Sequence, residues 1–286
     1  MSVIEAVNLV NQPDLIQSID VLAALMRNRR FTVLTGAGVS TDSGIPDYRG
    51  PKTKHIERNP VKHDEFVNSP EARQRYWSRA SRGYANVGKA SPNATHQLLA
   101  GLEAKGRVHG VITQNVDGLH QAGGSRQVIE LHGSLHRVCC LACAKTYDRD
   151  VIQSQINAEN PGWIRTAKEI APDGDAEVAI IEQAAFQTPL CASCRGDLMP
   201  DVVFFGGSVP KPRSQAAFDL VTEADGLLVL GSSLTVFSGY RFVRHADRLD
   251  LPIGIVTLGE TRGDKHARVK VDAPLAEVMA VLAEAL

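Results

Sequence analysis

Two Cys-x-x-Cys pairs, Cys140-Leu-Ala-Cys143 and Cys191-Ala-Ser-Cys194, are the most explicit chemical feature of the chain. Each pair can grip one edge of a tetrahedral zinc ion, with thiolates about 2.3 Å from the metal. Four sulfur ligands leave no open coordination position, so such a zinc is structural. The 47 residues between the pairs exceed the spacing of a compact zinc ribbon and imply an inserted loop. Buried free thiols and a redox Cys-x-x-Cys are the competing readings, and two matched pairs weigh against the redox one. The fifth cysteine, Cys139, is a core or surface residue or a competitor of Cys140 as ligand.

A second chemical stretch is LTGAGVSTDSGIPDYRG, Leu34 to Gly50. An apolar strand followed by Gly36, Ala37 and Gly38 starts like a dinucleotide loop, in which glycine lets the backbone approach a pyrophosphate. Thr41 stands where a redox fingerprint has its third glycine, and no strand ending in Asp or Glu follows about 20 residues later. NAD is therefore the expected cofactor, with chemistry other than hydride transfer. Asp47, Tyr48 and Arg49 then bring charge and an aromatic face after Pro46. An Asp–Arg pair stabilising a turn is the plainer reading of that end.

Further on come Gln114-Asn115-Val116-Asp117-Gly118 and Glu130-Leu131-His132-Gly133-Ser134. Amides beside a carboxylate can hold a carboxamide and ribose hydroxyls. A histidine titrating near neutrality can take a hydroxyl proton. Most isolated histidines are structural, but His132 follows a strand-end polar cluster and precedes the cysteines.

These residues need a scaffold that brings strand ends together. FTVLTG (31–36), VHGVITQN (108–115), GLLVLGSS (226–233) and PIGIVTLG (252–259) read as buried parallel strands. Helical patterns fall between and after them at 16–28, 93–106 and the C-terminus, with Asn93 or Ser91 as a cap for the middle one. Alternation of the two predicts an α/β fold, a Rossmann-like doubly wound parallel sheet whose ligands sit at the carboxyl ends of the strands. Residues 1–51, 91–133 and 199–286 are assigned to this NAD-binding part. Two insertions, helical at 52–90 and zinc-binding at 134–198, are assigned to a smaller domain.

The chain has 286 residues, 43% hydrophobic and 22% charged, with a net charge of −1. That composition suits a globular enzyme and gives no global field toward nucleic acid or anionic membrane. No apolar run approaches the roughly 20 residues of a membrane span. The N-terminus lacks the basic start of a secretory or import signal, and clustered cysteines do not read as a disulfide framework. The expectation is a cytoplasmic monomer.

Taken in order, GAGVSTDSGIPDYRG, TQNVDGLH, ELHGS, the paired Cys-x-x-Cys, PDVVFFG and GSSL resemble the sirtuins, the Sir2 family of NAD-dependent protein deacylases. The resemblance covers about residues 15–275. RQRYWSR, APDGD, PDVVFFG and SGYRF are similar to the class II subgroup, which includes the mitochondrial fourth human sirtuin. Without an import signal, a bacterial member is expected.

The resemblance implies that an acyl-lysine carbonyl oxygen attacks the ribose carbon bearing nicotinamide. An alkylimidate forms, His132 as general base activates a ribose hydroxyl, and lysine and O-acyl-ADP-ribose are released. It places Gln114 and Asn115 at the nicotinamide ribose, and Asp117 and the Ile45 backbone at the carboxamide. Ala37, Asp47, Tyr48 and Arg49 shape the pocket and cofactor loop. Gly36, Gly38, Gly231, Ser232 and Ser233 face phosphates and the adenosine ribose. It further implies a substrate peptide added as a strand between Val203–Gly207 and Val236–Gly239. There Val203 offers its carbonyl, Phe204 and Phe205 pack the lysine stem beside Gly206, and Val236 and Phe237 form the other side.

Tyr76 and Arg79 share a helical face. Their Tyr-x-x-Arg spacing matches the carboxylate-reading pair of class III sirtuins, so an acidic or branched acyl group is a candidate substrate; a solvated basic face is the alternative. Pro172, Asp173 and Gly174 are expected to narrow or line the acyl channel. Three positions depart from the family pattern: Gly207 stands where many sirtuins carry an acid, Thr257 where Asn binds ribose, and Ser232 where Thr is usual. Protein mono-ADP-ribosyl transfer or lipoamide removal on the same NAD site are alternatives. An NAD- or peptide-binding zinc adaptor is an alternative of another class. A nucleic-acid-binding zinc module is weaker, because the residues around the cysteines are not basic and aromatic.

Overall fold

The computed structural model describes residues 13–47, 53, 59–163 and 185–286. Tyr48, Arg49 and the Pro172–Asp173–Gly174 loop lie outside the described residues.

Period-2 burial builds the main sheet. In β1 (Phe31–Thr35), Phe31 and Val33 enter one core and Leu34 the opposite one. The strand Gly226–Leu230 repeats this, with Leu228 and Leu230 on one face and Leu227 and Val229 on the other. A strand buried on both faces must be covered by helices on both. Helices α1 (Pro13–Met26), α4 (Ala94–Ala104) and α9 (Leu275–Ala285) bring Leu22, Met26, Leu99, Leu102, Met279 and Leu282 to the first face. Helices α7 (Lys211–Thr222) and α8 (Phe237–Arg248) bring Leu220, Val221, Phe242 and Val243 to the second.

The strands are β1, β2 (Val108–Thr113), β3 (Val128–Glu130), β7 (Gly226–Leu230), β8 (Ile253–Val256) and β9 (Val269–Val271). They form one parallel sheet in the order β3-β2-β1-β7-β8-β9. The four strands expected from sequence are all present. Edge strands β3 and β9 are additions: each is three residues long, too short for periodicity to reveal. Asn93 settles the cap of α4. Its Oδ1 accepts from the Thr95 and His96 amides at 3.0 and 3.4 Å, and His96 accepts back from the Asn93 amide.

A separate antiparallel sheet, in the order β5-β4-β6, consists of β4 (Gly133–Cys140), β5 (Thr146–Asp148) and β6 (Leu198–Val202). It packs with α2 (His63–Asn68), α3 (Pro70–Val87) and α6 (Arg149–Glu159) around Phe66, Trp77, Val138, Ile156, Phe186 and Leu198. A one-turn helix, α5 (Leu119–Ala122), follows β2. No helix among the described residues is long and apolar enough to cross a membrane.

Candidate active site and metal centre

The sheet reverses its strand order at β1, and β1, β2, β7 and β8 end side by side there. The residues following them line one cavity of about 640 Å³, including Gly36, Gln114, Gly231 and Thr257. This is the crevice in which open α/β sheets bind ligands. Gly36 and Gly38 belong there for a steric reason. A Cβ on Gly36 would lie 2.8 Å from the Gly231 carbonyl oxygen, and one on Gly38 would lie 2.9 Å from the Gly231 Cα. The two loops therefore touch backbone to backbone. Gly231 itself has φ of +57°.

Gln114 ties three strand ends together. Its backbone amide donates to the Thr35 carbonyl at 3.0 Å, and its Nε2 donates to the same carbonyl at 3.2 Å and to Ser232 Oγ at 2.9 Å. Its own carbonyl accepts from His132 Nδ1 at 2.9 Å. A carbonyl can only accept, so Nδ1 carries the ring proton and Nε2 of the neutral ring is an acceptor. Ser238 Oγ lies 2.7 Å from that Nε2 and donates to it. Burial pushes the His132 imidazole below its ordinary pKa. The Gln114 bond opposes that shift, and the Arg241 and Arg213 charges add to it.

Asn115 and Asp117 converge on Ser40. Asn115 Nδ2 donates to the Gly36 carbonyl and to Ser40 Oγ, both at 3.1 Å, while Ser40 Oγ donates to Asp117 Oδ2 at 2.6 Å. Asp117 Oδ1 accepts the Leu119 amide at 3.0 Å, and Asp117 is only 4% exposed. Asp47 is bonded by the Thr53 hydroxyl.

Ala37, Ile45, Asp47, Ser232, Ser233, Asn115, Asp117 and His132 all line the cavity. So do Tyr76, Val203, Phe204, Phe205, Gly206, Val236 and Phe237. Arg79 is the exception among the described candidates. Its Nη1 donates to the Asn59 carbonyl at 3.3 Å, and it is not among the lining residues. Tyr76 is held edge-on against Phe66, Trp77 and Phe204.

The two peptide-side segments belong to neither sheet. β6 ends at Val202, and Val203 follows with its amide on the His132 carbonyl at 2.8 Å. Phe237, Ser238 and Gly239 form the first turn of α8, and the Gly239 amide donates to the Val236 carbonyl at 3.2 Å. Phe205 and Phe237 are 44% and 52% exposed. Sequence reasoning missed Ser40, Ser238 and Arg241. All three lie inside motifs already noted, Ser40 in GAGVSTDSGIPDYRG and Ser238 and Arg241 in SGYRF, but only the fold brings Ser238 to His132.

The cysteine ligand atoms of residues 140, 143, 191 and 194 lie within 4.8 Å of one another. Cys140 and Cys194 sulfurs are 3.5 Å apart, and Cys143 and Cys191 sulfurs 3.7 Å. That is close to the separation across a tetrahedron with roughly 2.3 Å zinc–sulfur bonds. Ala144 and Arg195, each following the second cysteine of its pair, adopt φ of 58° and 61°. Both turns close alike, with the Ala144 amide on the Cys140 carbonyl at 3.0 Å and the Arg195 amide on the Cys191 carbonyl at 2.8 Å. Cys139 is not a ligand, for its thiol meets the Met199 carbonyl at 3.5 Å. The set fits a structural zinc.

The model of the Sir2 family matches residues 36–238. "NAD-dependent protein deacetylase 1" of Mycobacterium avium (strain 104) is 52% identical over 270 residues, 93% of this chain and 94% of that protein. "NAD-dependent protein lipoamidase sirtuin-4, mitochondrial" of Bos taurus is 44% identical, covering 89% of this chain and 82% of that protein. The solved structure "Sir2-p53 peptide-NAD+" superposes with a TM-score of 0.73 at 35% identity, covering 91% of this chain and 95% of that one. With a matching domain model over residues 36–238, close relatives over nine-tenths of its length and a shared fold, the chain belongs to the Sir2 family.

Proposed function

We infer that the chain is an NAD-dependent protein-lysine deacylase. The observation that carries this is the placement of His132: its Nδ1 is tied to the Gln114 carbonyl, which leaves Nε2 as the nitrogen that can accept a proton within the strand-end cavity. NAD supplies a ribose carbon made electrophilic by departure of nicotinamide. The loop backbone at Gly36, Gly38 and Gly231, with Ser232 and Ser233, would hold its phosphates and adenosine ribose. Asn115 and Asp117, already oriented by Ser40, would hold the nicotinamide ribose and carboxamide. His132 Nε2 takes a hydroxyl proton, and Ser238 keeps the ring aimed until that hydroxyl replaces it. The half-exposed Phe205 and Phe237 offer apolar surface to a peptide, and Tyr76, Val61, Ile45 and Phe204 an apolar wall to the acyl-lysine.

Incubation with NAD and a panel of acetyl, propionyl, lipoyl, glutaryl and hydroxymethylglutaryl peptides, read by mass spectrometry, tests this. Loss of the acyl group with formation of O-acyl-ADP-ribose is expected, and His132→Ala should lower turnover at least about 100-fold. A mass gain on the peptide indicates ADP-ribosyl transfer instead. NAD binding with no nicotinamide release from any peptide supports an adaptor.

A preference for acidic or branched acyl groups is the second reading, supported by Tyr76 at the cavity wall with Arg79 one turn further along α3. It predicts that Arg79→Met lowers the glutaryl-to-acetyl rate ratio about 10-fold. Equal loss on both peptides counts against it.

A further inference from the structure

We propose that Arg241 is a specificity-determining residue that pairs with a side-chain carboxylate of the substrate peptide close to the acyl-lysine. This rests on the deacylase reading and adds to it a rule for which peptides are favoured.

Arg241 stands one turn into α8 and lines the cavity. Its Nε donates to the Ser238 carbonyl at 3.1 Å, two residues beyond Val236 and next to the hydroxyl that meets His132. Its guanidinium carbon lies 5.1 Å from the Phe242 ring centroid and 5.5 Å from that of Phe218. These contacts hold the group in place but do not neutralise it. Its Nη2 is buried without a hydrogen-bond partner, and no carboxylate pairs with Arg241 among the described residues.

Asp201, next to the cavity-lining Val202, and Glu130, two residues before His132, are both committed to other arginines. Asp201 is shared by Arg137 at 3.0 Å and Arg213 at 3.4 Å, and Glu130 binds Arg137 at 2.8 Å. Two acids thus offset two arginines, and Arg241 remains over. Gly207, also at the cavity wall, has no side chain to supply the missing charge. The Arg241 charge reaches the reacting centre, where it adds, with that of Arg213, to the burial that pushes the His132 pKa down.

A positive charge on the wall of a partly enclosed cavity attracts an anion more strongly than one on open surface. The planar guanidinium suits a carboxylate in particular. The peptide is favoured over the acyl chain as its source. Arg241 sits on the Phe218–Phe242 side with the peptide segment Val236–Ser238, whereas Tyr76 belongs to the aromatic cluster around Phe66 and Phe204.

The test uses the full chain and acetyl-lysine peptides carrying Asp, Asn or Lys at each of the three positions on either side. In the wild type, kcat/KM for Asp over Asn should be raised about 5- to 20-fold at one of these positions. Arg241→Met should bring that ratio within about twofold of one, and Arg241→Lys should keep part of it. Because the ratio is internal to each protein, a general loss of activity does not imitate the effect. A flat wild-type profile, or a ratio that survives Arg241→Met, overturns the proposal. So does an Arg241→Met effect confined to the glutaryl-to-acetyl ratio, or to KM for NAD, since the anion would then be the acyl group or a phosphate. If no peptide is turned over, the deacylase reading has failed. Peptide Kd values by fluorescence anisotropy, Asp against Asn, then decide this inference independently.

Discussion

His132 works as a base because its two ring nitrogens differ: Nδ1 is bonded to a main-chain carbonyl, and Nε2 accepts from a serine that a substrate hydroxyl can displace. The motif ELHGS marked the residue, but not its tautomer or Ser238, which lies 106 residues away in sequence. Activity requires the neutral ring. Burial first, and the Arg241 and Arg213 charges after it, hold the His132 pKa below the ordinary value. A lowered pKa keeps the base form populated to lower pH. The acidic limb of kcat/KM should therefore fall below about pH 6.5, the value for free histidine. Arg241→Met removes one depressing charge and should move that limb to higher pH. A limb that stays in place, or moves down, contradicts this account of the site.

At the scale of elements, the site depends on loops that touch without side chains. The prediction concerns Gly36→Ala. Its Cβ would meet the Gly231 carbonyl and Ser232 Cβ at 2.8 Å, both on the loop after β7, so the β1 and β7 loops must separate. The expected cost is about 1–3 kcal/mol in urea unfolding, with weakened NAD binding by calorimetry. Gly101 provides the contrast. It lies exposed within α4, a Cβ there meets nothing within 4 Å, and Gly101→Ala should stabilise by about 0.5–1 kcal/mol. Equal stability changes in the two variants would refute the close-approach argument. The glycines were legible in the sequence because such loops need them. The resemblance already set Gly231 at the cofactor beside Gly36 and Gly38, but not the backbone contact between the loops, which forms between positions 195 residues apart (36 to 231).

Across the whole molecule, the cysteines fasten the end of β4 to the segment that enters β6, where the two strands already pair at Cys140 and Leu198. Cys140 ends β4, and Cys191 and Cys194 precede β6 after the long insertion. β4 begins at Gly133, directly after His132, and ends at Cys140, so one strand runs from the base to the metal module. One zinc per chain is expected by elemental analysis of the purified protein. Prolonged chelation, or Cys143→Ser, should lower Tm by several degrees and reduce turnover with it. Metal-free protein with unchanged Tm and turnover would show that the thiols are only packed together.

The chemistry was set by the sequence alone. Four Cys-x-x-Cys sulfurs, an incomplete redox loop, a Gln-Asn-Val-Asp cluster and a Gly-flanked histidine identify ligands by type and short spacing, which are local properties. The four central strands were legible for the same reason, because burial on both faces leaves continuous apolar runs. The tertiary structure decided what depends on distant contacts. It brought Ser40 between Asn115 and Asp117, Ser238 onto His132 and Cys139 away from its neighbours. It also set Tyr76 in the cavity wall, left Arg79 on the Asn59 carbonyl, and left Arg241 without a counter-charge. Charge balance and hydrogen-bond partnership are properties of neighbourhoods, and only folding creates the neighbours.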